Sequence, residues 1–152
     1  MDGPILELAA GSGRIALPLA AAGHAVTGVD HDPHMLARAP LAWAMSGGRA
    51  AGGTLELVEA DLLGLDLGRR FDLVILALNG LLMLPGRDAQ AQAMQTIAAH
   101  LSPTGRAVVD VWLPSADDLV AYDGRFELAW RRIDPIPAKE RFFSAIVREL
   151  EP

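Results

Sequence analysis

The sequence predicts a doubly wound α/β fold, in which helices cover both faces of a mostly parallel β-sheet. Apolar, strand-like segments alternate with helix-like segments over the first two-thirds of the chain, which implies right-handed crossovers between parallel strands. Hydrophobic residues make up 51% of the chain but aromatic residues only 5%, a balance typical of helices rich in Ala and Leu packed on a sheet. The length of 152 residues suits one domain, which we place over residues 1–152.

The elements of this fold follow from local patterns of apolar, capping and turn residues. Gly23 ends the first helix where a left-handed cap is needed, and Pro33 begins the second helix in its first turn. The glycine-rich stretch 47–53 is predicted to be a loop. The predicted elements are, in order, a strand at Ile5–Leu8, a helix at Arg14–Ala22, a strand at Ala25–Val29, a helix at Pro33–Met45, strands at Thr54–Val58 and Phe71–Leu78, a helix at Asp88–Leu101 and a strand at Arg106–Trp112.

The helix predicted at Asp88–Leu101 has one apolar face. Met94, Ile97, Ala98 and Leu101 recur at the i, i+3, i+4, i+7 spacing of residues that face a core. We therefore expect these four side chains to be buried against the sheet.

The tail of the chain has a different pattern. Phe126–Ile133 and Arg141–Leu150 have the composition of two strands, and the proline-containing segment DPIPAKE joins them. This pattern predicts a C-terminal antiparallel β-hairpin over residues 125–150. Leu113–Gly124 is a candidate hinge between that hairpin and a core at residues 4–112.

Charge and composition exclude several classes of function. The net charge of -6 argues against a nucleic-acid partner, and the absence of cysteine excludes disulfides and cysteine-ligated zinc. The longest apolar run, Leu73–Leu84, is interrupted by Asn79 and Gly80 and is too short to cross a bilayer. The N-terminal residues lack the pattern of a signal peptide. We therefore expect a cytoplasmic protein with no membrane partner.

A glycine turn directly after the first strand indicates a ligand site. Gly11 and Gly13 precede a helix, and glycine lets the backbone turn sharply while a ligand approaches it closely. The segment GSGRIA fits the dinucleotide fingerprint, with Asp30 about twenty residues further on. Glu7, however, places a carboxylate where a pyrophosphate would follow, so it favours a cationic ligand without phosphate. S-adenosylmethionine carries such an ammonium and a sulfonium.

The segments ELAAGSGR, GVDHDPHML and EADLLGL, in this order and spacing, resemble the class I S-adenosylmethionine-dependent methyltransferases of the small-molecule type. The resemblance covers about residues 4–112 and implies a Rossmann-like fold. It also implies S-adenosyl-L-methionine as cofactor, S-adenosyl-L-homocysteine as product, and a small-molecule acceptor methylated on O or N. Ala9 departs from the family pattern, which has glycine there, and is expected to crowd the methionine part of the cofactor.

The resemblance also assigns individual residues. Asp30 would hold both ribose hydroxyls, while His31 and Met35 would pack around the adenosine. Asp61 and the Leu62 amide would contact the adenine. The chain at Ala77, Leu78 and Asn79 would line the methionine end, with Asn79 facing the substrate. The full set of expected cofactor-binding residues is Glu7, Ala9, Gly11, Gly13, Arg14, Asp30, His31, Met35, Asp61, Leu62 and Leu78.

No catalytic residue is assigned, because methyl transfer needs alignment and exclusion of water more than a dedicated base. Methylation of amino groups on bases usually comes with an Asn/Asp-Pro-Pro-aromatic turn, and this chain has NGLL instead. Carbon-5 methylation of pyrimidines needs a cysteine nucleophile, which the chain lacks. The segment DHDPH has no second ligand set, so no metal site is expected.

Structural alternatives remain open for three of these residues. Glu7 and Asp30 could cap the helices that follow them, although Asp32 could cap the second helix instead, and Asp61 could form a turn. At the level of function, two alternatives remain: a non-catalytic module that binds the cofactor, and an NAD(P)-dependent oxidoreductase based on GSGRIA. Compared with the family, the chain is expected to be truncated at both ends. An exposed edge at the fifth strand would then favour a homodimer.

Overall fold

The structure is a computed structural model that describes residues 3–39, 52–121, 130–132 and 141–143. It divides the chain into two compact units, Met1–Trp112 and Leu113–Pro152. The expectation of one domain over residues 1–152 stays a prediction.

The first unit contains a five-stranded sheet in the order β3-β2-β1-β4-β5, with every neighbouring pair parallel. The predicted doubly wound α/β fold is therefore confirmed. The order reverses between β1 and β4, and open α/β sheets bind ligands beyond the carboxyl ends of their strands at such a point. The strands are β1 at Ile5–Leu8, β2 at Ala25–Asp30, β3 at Thr54–Glu59, β4 at Phe71–Leu76 and β5 at Leu101–Val109.

Three helices of the same unit lie wholly within the described residues: α1 at Ala16–Ala21, α2 at Pro33–Leu36 and α3 at Gly86–His100. Gly23 follows α1 with a φ of 102°, so the predicted left-handed cap is confirmed. The helix predicted at Pro33–Met45 continues into residues 40–51, which lie outside the described residues.

Two apolar clusters lie on opposite faces of the sheet. Successive residues of a strand point to opposite faces, so Leu6 and Leu8 pack in the cluster that contains Ile97 of α3, whereas Ile5 packs in the cluster that contains Ala16 of α1. All four residues of β1 are buried, as expected for a central parallel strand. This alternation places Glu7 on the α1 face, directly below the start of that helix.

The buried face of α3 differs from the one that the sequence predicts. Of the predicted set only Ile97 is fully buried; Met94 is 44% exposed. Thr96 and His100 take part in the buried face because their polar atoms are satisfied. The Thr96 hydroxyl donates to the Leu62 carbonyl at 2.9 Å, and the Leu67 amide donates to Nε2 of His100 at 3.1 Å. Hydrogen bonds to distant backbone groups thus allow two polar residues to be buried on a helix face that the apolar pattern of the sequence did not predict.

Strand ends also differ from the prediction. β4 ends at Leu76, two residues early, because Leu78 and Asn79 have left-handed φ angles of 54° and 63°. β5 begins at Leu101 instead of Arg106, and its pairing with β4 is irregular over its first residues.

The second unit contains helix α4 at Ala116–Ala121, strand β6 at Trp130–Arg132 and strand β7 at Arg141–Phe143. β6 and β7 pair antiparallel. Most of the predicted hairpin over 125–150 lies outside the described residues, so the hairpin itself stays a prediction. Among the described helices of either unit, none is long and apolar enough to span a membrane.

Candidate functional site

A cavity of about 740 Å³ opens beyond the carboxyl ends of β1, β2 and β4. This is the edge at which the strand order reverses, and the volume is in the range of small-molecule sites, about 300–1,000 Å³. The sequence-predicted residues that line the cavity are Ala9, Gly11, Arg14, Asp30, His31, Met35 and Leu78, together with Ala77. The structure therefore brings residues from all three strand ends to one site.

The glycine turn after β1 has two glycines with different roles. Gly11 has a φ of 54°, and a Cβ there would lie 3.4 Å from the Met35 side chain. Both residues line the cavity, so this Cβ would project into it. Gly13 has a φ of 83°, but its Cβ would lie 2.9 Å from Cγ of Leu17 in α1. Gly11 thus keeps the backbone open toward the cavity. Gly13 is buried and permits close packing of the turn on the helix, and it does not line the cavity.

Asp30 joins the end of β2 to the glycine turn. Its Oδ2 accepts a hydrogen bond from the Gly11 amide at 2.7 Å, and its Oδ1 accepts one from the Asp32 amide at 2.9 Å. A carboxylate has about four acceptor positions, so Asp30 retains capacity for donors on a ligand. Its side chain is nearly buried, whereas His31 beside it is exposed. The second helix is capped by Asp32, whose Oδ1 accepts from the His34 amide, so the alternative that Asp30 is the cap is wrong.

Glu7 is a buried carboxyl group beneath the turn. Its Oε2 accepts a hydrogen bond from the Ala16 amide at 2.7 Å, which holds the start of α1 on the end of β1. Burial raises the pKa of Glu7 to about 7; the bond from Ala16 opposes this shift and the charge of Asp30 adds to it. Glu7 does not line the cavity. The hydrogen bond from Ala16 to Glu7 is the one expected if Glu7 caps the first helix. Direct contact between Glu7 and a ligand stays a prediction.

Three further predicted residues lie outside the cavity lining. Oδ1 of Asp61 accepts from the Leu63 amide at 2.8 Å. This hydrogen bond forms the turn that the sequence left open as an alternative to a ligand contact. The Leu62 carbonyl bonds to α3 through Thr96. Asn79 accepts from the Trp112 amide through its side-chain oxygen, so this side chain ties the turn after β4 to the end of β5. Their predicted contacts with adenine and substrate remain predictions.

Sequence analysis missed several residues that line the cavity: Ala10, Ser12, Leu17, Asp32, Gly80 and Met83. Ala10 and Ser12 lie inside the glycine motif itself, so their position next to Gly11 could have identified them as lining residues. Met83 offered none, because a methionine in an apolar run predicts burial, yet its side chain is 80% exposed at this edge. Within the described ranges, no group of three or more His, Asp or Glu side chains is placed to hold a metal ion.

The chain matches one family model, described as a methyltransferase domain, over residues 5–105. The matched range contains all five strands of the first unit except the last residues of β5. A comparison with curated proteins gave no match.

Many solved structures are similar to the chain, among them the following three methyltransferases. The CcbJ methyltransferase from Streptomyces caelestis is 36% identical with a TM-score of 0.63, over 70% of this chain and 44% of that one. The glycopeptide N-methyltransferase MtfA complexed with S-adenosyl-L-homocysteine is 27% identical with a TM-score of 0.61, over 71% and 45%. A TehB-like methyltransferase from Corynebacterium glutamicum is 30% identical with a TM-score of 0.59, over 70% and 53%. The chain thus spans about half the length of these structures.

Proposed function

This chain belongs to the methyltransferase domain family, and we propose that its protein transfers a methyl group from S-adenosyl-L-methionine to an O or N atom of a small-molecule acceptor. The observation that carries the proposal is the way carboxylates hold the glycine turn. The Gly11 amide donates to Asp30, and the Ala16 amide donates to Glu7. A dinucleotide-binding fold offers amides at this place to a pyrophosphate. Here side-chain oxygens of the protein accept from both amides, so these amides are not free for a phosphate and the site favours a cofactor without one.

The lining residues fit S-adenosyl-L-methionine by their chemistry. Asp30 retains acceptor capacity for ribose hydroxyls, and Met35 offers an apolar side chain opposite the open Gly11 backbone. Arg14 is a cationic side chain in the lining that suits the carboxylate of the cofactor. When bound, the cofactor supplies an electrophilic methyl group on its sulfonium. The part of this chain is to bind the cofactor, orient it and exclude water from it.

The acceptor side of the proposal rests on the turn after β4. Leu78 and Met83 line the cavity and are 50% and 80% exposed, so they offer apolar surface to an acceptor. MtfA acts as a glycopeptide N-methyltransferase, which supports an amine among the candidate acceptors. A non-catalytic module that binds the cofactor remains the alternative that the sequence leaves open. A homodimer and a cytoplasmic location stay predictions from the sequence.

Calorimetric titration tests this proposal. We expect the chain to bind S-adenosyl-L-homocysteine in the micromolar range and NADH not at all. Asp30→Ala should weaken S-adenosyl-L-homocysteine binding at least about tenfold, since hydrogen bonds to a charged group contribute about 1.5–3 kcal/mol each. Asp66→Ala is the matched control, because Asp66 also accepts a backbone hydrogen bond, from Gly68, but lies outside the cavity lining. Binding of NADH in place of S-adenosyl-L-homocysteine would contradict the proposal. Turnover with small-molecule amines then separates enzyme from binding module.

A further inference from the structure

The turn after β4 contains two consecutive residues in a conformation that side chains disfavour. Leu78 and Asn79 have φ angles of 54° and 63°, and Leu78 lines the cavity. Left-handed backbone is tolerated by asparagine but is rare for leucine, whose Cβ approaches the following carbonyl. Such a turn persists only where other groups hold it.

Packing alone does not hold Leu78 in place. Leu78 is 50% exposed, so packing covers only part of this residue. The hydrogen bonds of the turn must therefore supply most of the restraint.

One of these hydrogen bonds closes the turn itself: the Gly80 amide donates to the Ala77 carbonyl at 3.0 Å. The others join the turn to Asp110 and Trp112, which follow β5. The Leu78 amide donates to Oδ2 of Asp110 at 3.1 Å, and the Asn79 amide donates to the Asp110 carbonyl at 3.2 Å. The Asp110 amide in turn donates to the Leu76 carbonyl at 3.0 Å. The side-chain oxygen of Asn79 accepts from the Trp112 amide. The Asp110 carboxylate thus accepts from the amide of the first left-handed residue, in addition to the backbone bond that closes the turn.

We propose that Asp110 is a positioning residue that holds Leu78 against the cofactor cavity. The inference rests on the proposed function for the identity of the ligand, but the restraint itself belongs to the chain alone. Asp110 does not line the cavity and acts through Leu78. Removal of its carboxylate leaves the bond from Gly80 to Ala77 in place but frees the Leu78 amide, which loosens the Leu78 side chain at one end of the cavity. Asp30 and Gly11 keep the other part of the lining intact.

The effect should depend on which part of the ligand is present. S-adenosyl-L-homocysteine carries both adenosine and amino-acid parts, whereas 5′-methylthioadenosine lacks the amino-acid part. Because the turn after β4 is assigned to the amino-acid end, Asp110→Ala should weaken S-adenosyl-L-homocysteine binding about five- to tenfold, within the range of one ordinary hydrogen bond. It should change 5′-methylthioadenosine binding less than about twofold.

Two measurements test the inference. The first needs no ligand: amide hydrogen exchange in the full chain should show protection of the Leu78 amide, lost in Asp110→Ala and kept in Asp110→Asn, whose carbonyl still accepts. An unprotected Leu78 amide in the unchanged chain, or equal protection in Asp110→Ala, overturns the inference whatever the cofactor is.

The second measurement is a calorimetric double-mutant cycle with S-adenosyl-L-homocysteine and 5′-methylthioadenosine. Glycine at position 78 adopts the left-handed conformation unaided, so Asp110→Ala should have no further effect in Leu78→Gly. Equal losses for both ligands, or the same loss with and without Leu78→Gly, would overturn the inference. If the unchanged chain binds neither ligand, the proposed function fails while the exchange result still decides the role of Asp110.

Discussion

The turn after β1 and the turn after β4 face the same cavity but reach left-handed backbone by different means. In the first, glycines supply the conformation, and Glu7 and Asp30 anchor the turn from directly adjacent strand ends. In the second, a leucine and an asparagine adopt it under restraint from Asp110, more than thirty residues along the chain. Glycine therefore supplies left-handed backbone at Gly11 and Gly13 in the first turn, whereas the left-handed leucine of the second turn depends on tertiary contact.

The difference explains what could be predicted. A glycine has one physical meaning at a sharp turn, so Gly11 and Gly13 identified the first site from the sequence. The Asn79-Gly80 pair marks a turn, but a leucine at position 78 gives no sign of left-handed backbone, and β4 was consequently predicted two residues too long. Asp110 was missed for the same reason, because its partner amide is distant in sequence.

Fold class was predictable because the alternation of apolar strands and helices extends over many residues. The buried face of α3 was not, since Thr96 and His100 depend on the Leu62 and Leu67 backbone for their hydrogen bonds. Glu7 was recognised as unusual from its position alone. That its hydrogen bond runs to Ala16, and that it does not line the cavity, required the structure.

The largest expected effect is that of Gly13→Ala, which tests whether the first turn requires a residue without a side chain at position 13. Gly13→Ala places a Cβ 2.9 Å from Leu17 in a left-handed backbone, which should lower the free energy of unfolding by about 2–4 kcal/mol. Gly68→Ala is the matched control, because Gly68 is also left-handed but a Cβ there meets nothing within 4 Å. It should cost about 1 kcal/mol. Equal losses in urea unfolding would show that packing on Leu17 is unimportant.

The next effect concerns the carboxyl group that anchors the first turn. Burial raises the pKa of Glu7 from 4.5 to about 7, so the folded chain favours the protonated form. Stability from Glu7 is complete below pH 4.5 and is lost as the pH rises through 7, by about 3 kcal/mol at about 1.4 kcal/mol per pKa unit.

Glu7→Gln keeps an acceptor for the Ala16 amide and removes this ionisation. It should therefore stabilise the chain by about 2–3 kcal/mol at pH 8 and leave it nearly unchanged at pH 4.5. Glu59→Gln, at an exposed position, is the control for loss of a negative charge. A stability difference between Glu7→Gln and the unchanged chain that is the same at both pH values would contradict the assigned pKa.

The smallest effect concerns Ala9, the one residue of the first turn that resembles the second. It has a φ of 55° without being glycine, and it lines the cavity. Ala9→Gly should raise the free energy of unfolding by about 1 kcal/mol and tighten S-adenosyl-L-homocysteine binding a few-fold, since it removes both the strain and the crowding methyl group. Ala10→Gly is the control: Ala10 is buried without left-handed backbone, and the change should destabilise the chain. Destabilisation by Ala9→Gly would show that the methyl group contributes packing instead.

The central claim is that the cavity between these two turns holds the cofactor, and amide chemical-shift mapping tests it most directly. On titration with S-adenosyl-L-homocysteine, we predict that the largest shifts occur at Gly11, Asp30, Met35 and Leu78. A second, smaller cavity of about 350 Å³ near Gly23, His24 and Thr54 serves as an internal control and should show none. Shifts concentrated at the second cavity, or no shifts in the folded chain, would contradict the account.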